Sequence, residues 1–72
     1  MKLFGERLKQ LRIAKGIKQI DMAKLLDVTD RHYQRMEYGK VNVPALTLIA
    51  LAEYFNVSLD YLVGLSDNPE RR

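Results

Sequence analysis

The stretch 19–39 limits this chain most. It reads Gln-Ile-Asp-Met-Ala-Lys-Leu-Leu-Asp-Val-Thr-Asp-Arg-His-Tyr-Gln-Arg-Met-Glu-Tyr-Gly. Ile20, Met22, Ala23, Leu25 and Leu26 recur at helical spacing. Thr29 follows, and its hydroxyl can accept from a free amide at a helix start. A second helical pattern then sets Val28, Tyr33 and Met36 inward and Asp30, Arg31, Gln34 and Arg35 outward. Gly39 ends it, since glycine takes the left-handed conformation after a helix without steric cost. Two short helices parted by about three residues form a helix-turn-helix.

The outward face of the second helix carries Arg31, His32, Gln34 and Arg35. These side chains can donate to base edges or to phosphates. A merely solvated face could carry them too. Charge layout separates the two readings. Residues 1–40 hold ten Lys/Arg and five Asp/Glu, whereas residues 41–72 hold two and four, the late cations being Arg71 and Arg72. The basic part coincides with the two-helix motif, which points to a polyanion on that side.

The stretch resembles the Cro/cI-type (XRE) helix-turn-helix family of prokaryotic and phage regulators. Gln19 opens the first motif helix, Ala23 stands at the helix crossing, and Leu26 and Val28 flank the turn. Tyr33 and Met36 are the inward pair, and Glu37-Tyr-Gly-Lys40 closes the second helix. The likeness runs from about Phe4 to Leu65, with Arg12 and Gly16 fitting the first helix and Leu48, Ile49, Ala52, Val57 and Leu62 the last two. Two positions depart from the family. Asp27 stands where glycine is usual, and Asp accepts the left-handed conformation only at a cost. Lys18 stands where Ser or Thr usually caps, and it cannot accept an amide hydrogen bond.

The resemblance implies an all-α, five-helix, lambda-repressor-like DNA-binding domain at 1–65, followed by a flexible tail or linker start at 66–72. It implies that Asp30, Arg31 and Arg35 read bases in the major groove, with His32 and Gln34 flanking them. Arg can take guanine N7 and O6 together, and Asp can accept from cytosine N4; Asp30 can equally serve the helix dipole. Gln19 is expected at a backbone phosphate, where helix N-termini favour anions. Tyr38, Lys40 and Asn42 are further phosphate candidates. Arg12 is expected to reach Glu37 as a structural pair, the alternative being one more surface cation.

In chain order, helices are expected at 3–15, 19–26, 29–38, 44–55 and 59–63. Phe4, Leu8, Leu11 and Ala14 make the inward stripe of the first. Pro44 suits the first helical position of the fourth, whose Leu48, Ile49, Leu51, Ala52 and Phe55 make it the most apolar. Asn56 is expected to stop that helix, Ser58 to cap the fifth and Gly64 to end it.

With 72 residues the chain is one small domain, of a size at which burial alone is marginal. It has no cysteine, so neither a disulfide framework nor a Cys-based metal site is expected. Met1 to Gly5 lacks the apolar run of a signal peptide, and Val43 to Leu65 is too interrupted to span a membrane. A cytoplasmic setting is expected. The single His and the absence of a glycine-rich phosphate loop or an acidic pair argue against an enzyme; no cofactor, metal or small-molecule ligand is implied.

The function expected is sequence-specific binding of double-stranded DNA by a homodimeric transcriptional regulator, a repressor on a palindromic operator. The alternative is an antitoxin or other protein-interaction module that also binds its own promoter. Dimer contacts are expected from Tyr54, Tyr61, Val63 and Leu65, in the less basic part; the competing reading assigns them to the monomer core.

Overall fold

The computed structural model describes residues 1–71 and is all-helical, with no strand among them. Arg72, one of the two late cations, lies outside the described residues. The helices are α1 (Lys2–Ala14), α2 (Gln19–Leu26), α3 (Asp30–Glu37), α4 (Ala45–Phe55) and α5 (Leu59–Val63). They fall into two compact units, Met1–Asn42 and Val43–Arg72. No helix among the described residues is long and apolar enough to cross a membrane.

In the first unit, α3 packs on both α1 and α2. Phe4 and Leu8 of α1, Met22 and Ala23 of α2, and Tyr33 and Met36 of α3 are buried. Each helix ends by a local device. Lys15 closes α1, with Gly16 left-handed at φ 67°. Asp27 takes φ 56°, ψ 46° after α2, so the glycine-like position is occupied by a residue that pays for it sterically. Thr29 caps α3 by accepting from the His32 amide at 3.1 Å. Lys18 stands at the N-cap of α2 with no side-chain cap bond.

Gly5 explains how α1 and α3 come so close. A Cβ there would stand 2.4 Å from the Glu37 carbonyl oxygen and 2.8 Å from that of Met36. Only a glycine lets the backbone of α1 meet the last turn of α3. Gly39 does similar work: a Cβ there would lie 2.7 Å from Lys2 Cα, and its φ is 73°.

In the second unit, α4 packs on α5. Leu51, Ala52, Phe55, Val57 and Leu62 are buried. The Tyr54 ring stands edge-on to Phe55, with centroids 5.0 Å apart. Asn56 is left-handed at φ 55° and ends α4. Ser58 caps α5 by accepting from the Tyr61 amide at 3.0 Å, and Gly64 closes it at φ 91°.

Three expectations are corrected. Ala14 is exposed, although Leu11 one turn before it is half-buried. Pro44 is the N-cap of α4, its ψ of 148° being extended, so the helix begins at Ala45. Ile49, expected in the core, is 41 % exposed; about 100° per residue places it on the flank of α4 away from Leu51 and Phe55. After Leu65 the described residues are non-helical and turn back to the start of α5. The Pro69 carbonyl accepts from the Ser58 amide at 2.9 Å, and the Asn68 carbonyl from the Ser58 hydroxyl at 3.2 Å.

The crossing at Gly5 makes a direct prediction. Gly5→Ala gains helix propensity but forces backbone apart, and should lower stability by about 1–3 kcal/mol, the usual cost of overpacking. Chemical denaturation measures this. An unchanged midpoint would show that α3 can retreat freely.

Candidate nucleic-acid interface

Helix α3 is built with two faces. About 100° per residue sets Tyr33, Met36 and Glu37 on one arc, and all three are buried. Asp30, Gln34, Arg31, Arg35 and His32 follow one another around the remaining arc, and all five are exposed. This is the set read from the sequence as base-facing. Asp30 also lies in the first turn, where its charge suits the helix dipole.

The buried arc ends on a charged residue. Glu37 is the one buried charged side chain among the described residues. Arg12 Nε donates to Glu37 Oε2 at 2.6 Å, and Arg12 Nη2 to Oε1 at 3.2 Å. The fork is bidentate, the strong geometry for guanidinium on carboxylate. The side chains of Arg12 and Glu37 are 11 % and 1 % exposed. Arg12 Nη1 also donates to the Ile17 carbonyl at 2.9 Å, tying the α1–α2 turn into the same cluster. The surface-cation reading of Arg12 is therefore set aside.

Gln19 joins this cluster. Its Nε2 donates to Glu37 Oε1 at 3.1 Å. The sequence placed Gln19 at a phosphate, whereas its amide here spends one N–H on Glu37. An amide nitrogen carries two hydrogens, so the second remains for another acceptor. The link to Glu37 was not foreseen, and neither was the Gly5 crossing. A glycine inside a helical pattern was the only sequence signal for the latter.

Burial pushes Glu37 towards the neutral form, but the hydrogen bonds from Arg12 and Gln19 outweigh it and hold the carboxyl below its ordinary value. The same Glu37 contact raises Arg12. Burial pushes the Tyr33 phenol above its ordinary value. The Tyr33 hydroxyl lies near both partners yet meets hydrogen-bond geometry with neither.

Among the other predicted phosphate contacts, Tyr38, Lys40 and Asn42 are all exposed. They follow the end of α3, where Lys40 N–H donates to the Arg35 carbonyl at 3.0 Å. The predicted dimer residues lie in the second unit. Tyr54 and Leu65 are exposed, while Tyr61 and Val63 are half-buried.

The Helix-turn-helix family model matches residues 8–62. The chain belongs to the helix-turn-helix family, and the Cro/cI (XRE) type is the one its residues resemble. It is 41 % identical over 61 residues to the "SPbeta prophage-derived uncharacterized HTH-type transcriptional regulator YonR" of Bacillus subtilis, covering 85 % of this chain and 56 % of that protein. It is 31 % identical over 68 residues to the "Uncharacterized HTH-type transcriptional regulator YobD" of the same organism, covering 94 % and 61 %. It is 32 % identical over 63 residues to the "HTH-type transcriptional regulator PrpR" of Mycobacterium tuberculosis, covering 88 % and 13 %. The chain thus spans little more than half the length of the first two relatives. No solved structure gives a significant match.

Titration of Glu37 tests the cluster. A carboxyl held below its ordinary value contributes stability that is complete above that value and is lost as pH falls through the folded one. Glu37→Gln should therefore cost about 3 kcal/mol or more at neutral pH, as one-sided loss of a buried pair does. The gap to the native chain should narrow only under acid, below the usual carboxylate range. Thermal unfolding across a pH series reads both effects. A gap that is small at neutral pH, or that persists undiminished in acid, would place Glu37 outside a buried pair.

Proposed function

We propose that this chain binds double-stranded DNA sequence-specifically and regulates transcription, acting as a repressor on a near-palindromic operator. One observation carries the reading: α3 presents Asp30, Arg31, Gln34, Arg35 and His32 on one exposed arc while Glu37 anchors its opposite face. The exposed arc offers bidentate donors for guanine from Arg31 and Arg35, and an acceptor for cytosine from Asp30. The N-terminus of α2 and the remaining Gln19 N–H suit one backbone phosphate. Tyr38, Lys40 and Asn42 suit others. The relatives' printed names, which describe HTH-type transcriptional regulators of bacteria and a prophage, support the same reading and a cytoplasmic setting.

One recognition helix covers only a few base pairs. Two-fold pairing places a second one about 34 Å away, one DNA turn on. The second unit suits that pairing. Its sequence is less basic than residues 1–40, whose cations would repel a second copy, and it exposes Tyr54 and Leu65 beside half-buried Tyr61 and Val63. Aromatic residues also suit interfaces.

Selection of bound duplexes from a random pool supplies the operator and opens two tests. Gln19→Ala and Lys40→Ala should weaken binding to all sequences alike, and Lys40→Ala should lower the salt slope by about 1. Arg31→Ala or Arg35→Ala should instead relax preference at particular bases, by about 1–3 kcal/mol each. A changed base preference from Lys40→Ala would overturn its assignment to the backbone. Sedimentation at micromolar protein, with and without the operator, should show a dimer. A strict monomer holding one half-site as tightly as the whole palindrome would exclude pairing.

A further inference from the structure

The second unit carries an open groove of about 610 Å³ that the DNA-binding reading does not use. Its floor is mixed: Ile49 from α4, Leu59 from α5 and Leu65 beyond it are apolar, whereas Ser58, Ser66 and Asn68 are polar. Ile49, Leu59 and Leu65 are all substantially exposed, Leu65 at 79 %. The returning segment forms the far wall, fixed by the bonds that Ser58 makes to Pro69 and Asn68. Three carboxylates, Glu53, Asp60 and Glu70, edge the groove against one guanidinium, Arg71.

This combination narrows what can lie there. Nucleic acid is repelled by the acidic rim. A second copy docked face to face about a two-fold axis would set the same carboxylates against themselves, since such contacts are isologous. Like charges brought together across an interface are costly. An apolar segment flanked by cations satisfies both floor and rim. A helix in a groove does this with anchors at i, i+3 and i+4.

We infer that this groove docks a basic amphipathic helix of a partner protein, its apolar side on Ile49, Leu59 and Leu65 and its Lys/Arg side chains on Glu53, Asp60 and Glu70. The surface is distinct from the Tyr54 side of the proposed dimer contact. Tyr54 and Ile49 are five residues apart on α4, which turns them about 140° from one another. Only Leu65 belongs to both.

The probe is a synthetic amphipathic peptide with leucines at helical spacing and flanking lysines, compared with the same peptide carrying glutamates. Nuclear magnetic resonance on the isotopically labelled full chain reads the site. The lysine peptide should shift the amides of Ile49, Glu53 and Leu59, and the glutamate peptide should not. Combined Glu53→Lys and Asp60→Lys should weaken the lysine peptide at least ~10-fold, as should Leu59→Ala. If the charge reversal unfolds α5, whose first turn holds Asp60, the milder Glu53→Gln with Glu70→Gln should still weaken binding. Equal binding of both peptides, or shifts confined to other residues, would overturn the proposal. So would shifts of these same amides on concentrating the protein alone, because a second copy would then be the occupant.

Discussion

One carboxylate sets the geometry of the first unit. Glu37 takes two bonds from Arg12 of α1 and one from Gln19 at the head of α2, while itself ending α3. Arg12 in turn holds the α1–α2 turn through the Ile17 carbonyl. Three helices therefore report to a single side chain that is all but excluded from water. Such a cluster need not add much net stability, since desolvation consumes most of the attraction. Its effect is on geometry. A hydrophobic contact tolerates sliding and rotation, whereas a bidentate fork has one satisfactory arrangement. The exposed arc of α3 inherits its orientation from that arrangement.

Around this centre the chain uses small residues where backbones converge. Gly5 lets α1 touch the last carbonyls of α3, and Gly39 lets the turn after α3 pass the backbone at Lys2. Asp27 is the exception. It holds a left-handed conformation without being glycine, and the turn between α2 and α3 bears that cost. Thr29, immediately after, recovers part of it by capping α3.

Much of this was readable from residue order. The bounds of α2 and α5 match the expected 19–26 and 59–63, and for α5 Ser58 and Gly64 are unambiguous punctuation. The limits of α3 differ only in that Thr29 and Tyr38 are its caps. Arg12 and Glu37 meet in a bidentate pair across 25 residues. What was not readable depends on distances across the fold. Ile49 looks like core by composition, yet it lies on a flank of α4 away from buried Leu51 and Phe55. The Gln19 bond to Glu37 spans 18 residues, and no local pattern announces it. The return of the chain after Leu65 rests on backbone carbonyls at Asn68 and Pro69, which any sequence would supply.

The two arcs of α3 share a helix but almost no chemistry. Tyr33, Met36 and Glu37 answer to packing and to Arg12, while Asp30, Arg31, His32, Gln34 and Arg35 answer to whatever lies outside. Substitutions on the outer arc leave the fork, the glycine crossing and the Thr29 cap untouched. Descendants of such a chain could therefore drift to new targets one side chain at a time, without ever passing through an unfolded ancestor.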